Sequence, residues 1–492
     1  MINLEYILDK IITFILLPVV VISFIINSLS SDPQIYQGIA RLTDYFGIFP
    51  QNVGNIWEVK SISNRLINYL LYKFASLFIP YSEHYLQGII IKIVSLIIVL
   101  VICYYFSRQV KIKYSFQVSS ILILSTSNVA TLQAEWWAVV FTLLAIGLIM
   151  DENQWVHILS GFVISIVFFF KGISGMFMVT FLCIVYLFKP DFEKLKNITM
   201  SMLAGFIVLT SMILFSPIFP NVLNDIILSS KIAPVGRFSL DLLAANFGIK
   251  SFVSLIDLPF LLMGLLFGAY LYICYMRNKE FKTVAVFVLM WLTCIFMVLV
   301  QSEFFTYHYV VLVIPTIITI LLVKDYIPHA PFSAIIVTFV LFLMFTSFWS
   351  AHGIEERIYW DKKNYDANVI IKQFPDLQNQ SSMLYLEACN APYYFGVNAT
   401  SRYICALPFQ RNAPEWNITG LREYKENYVS IMSYTGKYII FEDSNWFAMN
   451  TTSDNIAVGN KINNEYIKVY DEGSWRVWER KDNITSKLQD LI

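Results

Sequence analysis

Asp32, Glu135, Lys171, Arg237 and His308 share an unusual setting. Each falls at the edge of a long apolar run or in the loop between two such runs. Charges beside membrane-length apolar segments are costly unless they are used or paired. Two carboxylates can take or hold a proton from an incoming hydroxyl. An ammonium, a guanidinium and an imidazole can neutralise a phosphate that leaves. As a set, these residue types are equipped to handle a phosphate ester at a membrane surface.

Each residue also has a plainer reading. Asp32 precedes Pro33, which is a helix-start pair: the carboxylate caps backbone N–H groups and proline suits the first helical position. The two roles are compatible, since a capped carboxylate is fixed in place. Glu135, in "ATLQAEWWAVVF", can complement a helix dipole from the first turn, and Trp136 and Trp137 beside it suit an interfacial belt. Lys171, in "FVISIVFFFKGISGMFMV", can end a helix and snorkel to the headgroups, or it can meet a phosphate. His308, among Phe304, Phe305, Tyr307 and Tyr309, fits a structural interfacial histidine. Glu303 nearby can face water. Arg237, in "KIAPVGRFSLDLL", has the planar fork suited to phosphate.

The elements that must position these residues are membrane spans. The chain has 492 residues, 57% of them hydrophobic and 14% charged, where a soluble protein carries about 25% charged residues. Its mean hydropathy is +0.60. Apolar runs predict eleven spans, near 7–28, 87–106, 116–132, 136–150, 156–170, 172–188, 198–216, 252–275, 284–301, 309–323 and 333–350. Basic residues cluster in alternate loops (Arg108, Lys111 and Lys113; Lys189, Lys194 and Lys196; Arg277, Lys279 and Lys282; Lys324). That alternation sets a cytoplasmic N-terminus and an extracytoplasmic tail. No cleavage site follows the first apolar run, so the first span is expected to stay as an anchor in a multi-pass protein of the plasma membrane. The formal charge is zero, which gives no electrostatic case for nucleic acid. Cys103, Cys183, Cys274 and Cys294 read as small buried residues, while Cys389 and Cys405 in the tail are open to a disulfide.

The first outer loop, 29–86, carries two amphipathic stretches. One follows Asp32-Pro33, with Ile35, Ile39, Leu42 and Phe46 on one face. The other, "SISNRLINYLLYKFASLF", sets Leu66, Leu70, Phe74 and Leu77 against Arg65, Asn68, Tyr72 and Ser76. Both predict helices lying in the membrane interface. From 351 the pattern changes. "SMLYLEA", "KYIIFED", "EYIKVYD" and "SWRVWER" read as strands, the last two joined by a Glu-Gly turn, and "LREYKENYVSIMSY" reads as a helix. The tail is therefore expected to be a small α/β domain. Its five sequons, at Asn379, Asn398, Asn417, Asn450 and Asn483, permit glycosylation. Walker, dinucleotide-binding, HExxH and CxxC patterns are absent from the sequence.

With these residues in view, the chain resembles the GT-C superfamily of membrane glycosyltransferases, of the dolichyl-phosphate-mannose protein mannosyltransferase and aminoarabinose transferase type. The resemblance rests on Asp32 after the first span, Glu135 opening the fourth, and "ILSGFVISIVFFFKGISGMFMVTFLCIVYLF" with its lysine at the break. It also rests on "FFTYHYVVLVIP" and on the tail segments "YYFGVNATSRYICALPFQR" and "EYIKVYDEGSWRVWERK". It implies a catalytic membrane domain over 1–350 and an extracytoplasmic α/β domain over 351–492. It further implies a polyprenyl-phosphate sugar donor taken from the lipid bilayer, and a glycan, lipid or protein acceptor. Asp32 would be the general base of an inverting transfer, with Glu135 assisting or orienting the acceptor. Lys171, Arg237 and His308 would face the donor phosphate, with Arg65 further away. Many relatives carry two adjacent acids where this chain has Asp32-Pro33, and a lone carboxylate is a poor site for a hard cation; no metal or other cofactor is expected. A transporter or flippase, or a scaffold presenting the tail, would be the rival readings. Transporters place charges near the midplane and repeat their spans.

Overall fold

The computed structural model describes residues 4–26, 34, 37–38, 40–41, 62–80, 83–112, 114–126, 132–188, 191–215, 268–269, 285, 288–296, 310–323, 335, 337–338, 351–386, 390–400, 422–442 and 452–482. Asp32, Arg237, Glu303 and His308 lie outside them, as do Cys389, Cys405 and most of the spans expected at 252–275 and 333–350.

The first apolar run is α1 (Leu4–Lys10), a π-helical stretch (Ile11–Leu16) and α2 (Leu17–Ile26). There follow α3 (Ile62–Ser76), α4 (His84–Val110), α5 (Ser115–Ser125), α6 (Ala134–Met150), α7 (Gln154–Phe170), α8 (Gly172–Phe188), α9 (Phe192–Phe215) and α10 (Val313–Val323). Three segments, Tyr6–Ile25, Tyr85–Val110 and Phe192–Met212, are long and apolar enough to cross a membrane; Ser115–Ser125, Ala134–Met150, Gln154–Phe170 and Val310–Leu321 are shorter apolar helices. By composition and length this is an integral membrane protein.

Polar contacts fix which helix ends lie together. Near the N-terminus, the Tyr114 hydroxyl donates to Asp9. At the loop between α6 and α7, Asp151 accepts from Tyr105 at 3.1 Å and from Gln109 at 2.8 Å, both on the last turns of α4. Gln154 donates to Glu193 at the start of α9, at 3.2 Å. The N-terminus, the α4–α5 turn, the α6–α7 loop and the start of α9 therefore share one face. The opposite face gathers the end of α2, the start of α4, the start of α6 and the end of α7. Small residues let α7 and α9 approach closely. A methyl at Gly161 would meet Ser201 Oγ at 2.0 Å and the Ile198 carbonyl at 2.2 Å, while Ser165 donates to the Met202 carbonyl at 2.7 Å.

Helix α3 forms as its spacing predicts, but it is amphipathic in the inverted sense. Asn64, Asn68, Leu71, Tyr72 and Ala75 are buried, whereas Leu70, Phe74 and Leu77 are exposed. A helix at a membrane boundary keeps its apolar face for lipid and turns amides toward protein. Ser76, expected on the polar side, is exposed and donates to the Lys73 carbonyl at 2.8 Å.

The C-terminal part begins with α11 (Ala351–Gln373) and a 3-10 turn (Pro375–Asn379). Then come β1 (Leu384–Leu386), α12 (Ala391–Phe395), α13 (Arg422–Ser433), β2 (Tyr438–Glu442), α14 (Ser453–Glu465), β3 (Tyr466–Glu472) and β4 (Trp475–Arg480). The strands form one mixed sheet in the order β1-β2-β4-β3, with β1 parallel to β2 and the other pairs antiparallel. Period-2 alternation sends Tyr385, Tyr438, Ile440, Trp475 and Val477 to a face continuous with the membrane helices' core. Leu384, Leu386, Ile439 and Phe441 go to the other face, with Val458 and Ile462 of α14 and Ile431 of α13. Strands β1 and β2 are thus buried on both sides, while most of the edge strand β3 is exposed or half-buried. At the β3–β4 turn Gly473 has φ +64, and a Cβ there would lie 2.3 Å from Asp366 Oδ2; that oxygen accepts the Ser474 N–H at 2.7 Å. All four expected strands and the expected helix at α13 are present. Helix α14 was missed, because "SDNIAVGNKINNE" has a weak apolar stripe; its Thr452 cap, accepting from the Asn455 N–H at 3.2 Å, was the available signal. Of the sequon asparagines described, Asn379 is exposed and Asn398 is buried.

Candidate functional site

Glu135 enters the site through an unusual backbone. Leu132 is fully buried with φ +64, a left-handed conformation costly for a branched side chain, and Gln133 is extended before α6 starts. Asn68 of α3 holds the strained residue in place, donating to the Leu132 carbonyl at 3.3 Å and to the Asn64 carbonyl at 2.8 Å. Gln37 of the first loop donates to Asn68 Oδ1 at 3.4 Å. Gln37, Asn64, Asn68, Gln133 and Glu135 form a buried polar layer on the face opposite the N-terminus.

Lys171 reaches the same layer from α7. Its backbone is extended (φ −151, ψ 110), yet its N–H still bonds the Val167 carbonyl at 2.9 Å and its carbonyl accepts from Gly175 at 3.1 Å. It is therefore the hinge residue between α7 and α8, as the sequence break implied. Phe170 stacks on Phe141 of α6 at 5.3 Å, which brings the end of α7 against α6. The Lys171 ammonium forms an ion pair with Glu135 Oε1. Lys171 does not snorkel: its ammonium turns inward to a carboxylate that is 8% exposed, while its own side chain is 24% exposed. Glu135 occupies the first turn of α6, where an acid complements the helix dipole.

Trp136 and Trp137 do not form an interfacial belt. Both are fully buried, edge to face at 4.9 Å; Trp136 stacks on Phe24 of α2 and donates to the Ile123 carbonyl at 3.3 Å. The Trp136 indole finds its partner in the core, while the Trp137 indole N–H is buried with no hydrogen-bond partner among the described residues. Arg65 lies on α3 beside Asn64, half-buried, with Nε and one terminal nitrogen shielded from solvent. Of the residues singled out in the sequence, the structure joins Glu135 to Lys171 and sets Arg65 on the helix that supports them; Asp32, Arg237 and His308 are outside the described residues. Among the described residues no group of three His, Cys, Asp or Glu side chains is placed to hold a metal.

Two lysines escaped the sequence reading. Lys92, on the third turn of α4, is 5% exposed and donates to the Ile25 carbonyl at the end of α2. A single charge within "GIIIKIVSLII" was the signal. With Gln34, Tyr85, Gly88, Ile89, Trp360, Asn364, Tyr393 and Tyr394 it lines a pocket between the membrane helices and the C-terminal part. Lys363 of α11 is buried among the rings of Tyr359, Trp360 and Trp475, with centroids 5.2, 5.0 and 5.1 Å away, and pairs with Glu442. Burial pushes its ammonium down to about 7 even so. It sits in a soluble-looking helix where a lysine is ordinary, and no sequence signal marks it.

No protein-family model matches the chain, and no curated protein matches it in sequence. Among solved structures it is similar to the Archaeoglobus fulgidus oligosaccharyltransferase. The apo form aligns over 89% of this chain and 70% of that one, at 12% identity and a TM-score of 0.45. The form tethered with an acceptor peptide containing the NVT sequon aligns over 97% and 74%, at 11% identity and 0.45. Fold likeness at that level carries no residue roles from that enzyme to this chain.

Proposed function

We propose that the chain is an inverting glycosyltransferase of the GT-C type, moving a sugar from a polyprenyl-phosphate donor to an acceptor hydroxyl on the extracytoplasmic face. The observation that supports this most is the Glu135–Lys171 pair: a carboxylate and a cation held together in a buried polar layer at the mouths of several spans. A lipid-borne phosphate arrives at that depth from the bilayer.

Asp32 takes the proton of the acceptor hydroxyl, and the acceptor oxygen attacks the anomeric carbon from the side opposite the phosphate. The bond from that carbon to the phosphate oxygen breaks, and the polyprenyl phosphate leaves with the electron pair. Lys171 neutralises the leaving phosphate, supported by Arg237, His308 and, at longer range, Arg65. Glu135 keeps Lys171 aimed and orients the acceptor. No metal is assigned a role. In this scheme residues 1–350 carry the chemistry and 351–492 form a cover on the same face.

The test is Asp32→Asn, assayed for transfer from short-chain polyprenyl-phosphate sugars in reconstituted bilayers. Asparagine caps a helix about as well as aspartate. Loss of transfer with normal expression and folding is expected, and full activity would remove Asp32 from the mechanism.

A further inference from the structure

Asn390 occupies the N-cap position of α12, yet its side chain makes no capping bond there. An asparagine at that position is ordinarily spent on the backbone N–H groups of its own helix. Here its amide donates instead to Gln34 Oε1 at 3.2 Å, across 356 residues of sequence. Both side chains are buried, at 3% and 2% exposure, and two buried amides that satisfy each other are costly to separate. Two residues further on, Pro392 meets the same first-loop segment: a Cβ on Gly38 would lie 3.4 Å from the proline Cβ. The contact starts from a fixed platform. Tyr394 and Phe395 of α12 are fully buried and pack edge to face with Trp475 of β4, at 5.3 and 5.1 Å.

On the other side of the contact, Gln34, Gln37, Gly38 and Arg41 are helical and recur at the i, i+3, i+4, i+7 spacing of one face. Along that face Gln34 and Gly38 meet α12, while Gln37 donates to Asn68 of α3 at 3.4 Å. Asn68 in turn holds the Leu132 carbonyl, three residues before Glu135. One polar helix face therefore bridges the C-terminal sheet and the turn that presents Glu135.

We infer that Asn390 is a positioning residue for the transfer: through Gln34 the C-terminal part fixes the first-loop segment that carries Asp32, and so belongs to the catalytic assembly as well as covering it. The role of Asp32 in this inference rests on the function proposed above. Asp32 is two residues from Gln34, so covalent geometry keeps their Cα atoms within about 7 Å of each other. A general base must sit within hydrogen-bond reach of the hydroxyl it serves. A misplacement of about 1 Å can cost about 10²-fold in rate.

The experiment uses the full chain in lipid nanodiscs and two readouts. One is hydrogen exchange in peptides covering 34–41; the other is kcat and KM for a short-chain polyprenyl-phosphate sugar. Asn390→Ala should speed exchange over 34–41 by about 10-fold or more. It should lower kcat about 10- to 100-fold while the donor KM stays within about twofold. Because the Asn390 side chain does not cap α12, exchange in the C-terminal strands should match wild type. Gln34→Ala combined with Asn390→Ala should be no worse than the worse single variant. Exchanging the two amides, Gln34→Asn with Asn390→Gln, keeps their summed length and should restore kcat to within about threefold. Lys363→Met, elsewhere in the C-terminal part, should leave exchange over 34–41 at the wild-type rate. Wild-type exchange over 34–41 in Asn390→Ala, additive losses in the double alanine variant, or a kcat loss that the exchanged amides leave untouched would each overturn the inference. If Asp32→Asn is inactive while Asn390→Ala keeps full kcat, the positioning role alone fails. If Asp32→Asn transfers at the wild-type rate, the general-base reading itself fails, whatever exchange shows in Asn390→Ala.

Discussion

Two lysine–carboxylate pairs are buried in opposite senses. In Glu135–Lys171 the acid is the hidden partner, 8% exposed against 24% for the lysine. In Lys363–Glu442 the lysine is hidden, at 2% against 22%. The first pair sits in an amide layer at the mouths of membrane helices, the second in a cage of aromatic rings. The difference shows which group each place was built to hold. At the membrane mouth the carboxylate is the covered partner and its cation the more accessible one, as the proposed role of Lys171 at a leaving phosphate requires. In the C-terminal part an ammonium is sealed as a packing element that pins Trp360 and, through its own carbonyl, accepts the Trp475 indole N–H at 3.1 Å.

The contrast breaks most decisively at Lys171. Lys171→Met leaves the buried Glu135 carboxylate without its ammonium and removes the cation from the leaving phosphate. Transfer should fall by about 10²- to 10³-fold, and stability by about 3–5 kcal/mol, read as turnover and as thermal unfolding of the reconstituted protein. If the stability loss is electrostatic, the double variant Glu135→Leu with Lys171→Leu should recover most of it while remaining inactive. Glu135→Gln comes next: it strands only the more exposed partner, so transfer should drop about 10- to 100-fold through misplaced groups with a smaller loss of stability. Wild-type turnover in that variant would exclude Glu135 from the site.

The second pair should respond to pH. Lys363 is lowered from 10.5 to about 7 by burial. Between those values the unfolded chain binds the extra proton, so folding stability should rise as pH climbs from about 7 toward 10. Melting curves at pH 7 and pH 9 should show that rise in wild type and a flatter response in Lys363→Met, whose turnover should stay within about twofold of wild type. An identical slope in both would mean the ammonium stays charged beside Glu442. The smallest effect is expected at Asn68→Ala, which frees the Leu132 carbonyl and should cost about 1–3 kcal/mol. If that variant melts like wild type, the amide layer does not restrain the turn before Glu135.

Much of this arrangement was legible before any coordinates. Glu135 and Lys171 were singled out because each breaks an apolar run, and charge alternation set them on one face. What periodicity could not say is that they touch: they lie 36 residues apart in sequence, and the packing of Phe170 on Phe141 brings them together. Trp136 and Trp137 show the converse error. Position beside a charge suggested a headgroup contact, whereas Phe24 and the Ile123 carbonyl, distant in sequence, make them core.

By itself, then, the sequence determined the membrane class, the strands of the tail and the residue types available for phosphate chemistry, because hydropathy runs, period-2 alternation and local charge are properties of short windows. Only the tertiary structure decided that α3 turns its amides inward, that Glu135 holds Lys171, and that Lys92 and Trp360 share a pocket. Those outcomes depend on which helix ends meet, and a contact between distant segments is set by shape and buried polarity that no single window contains.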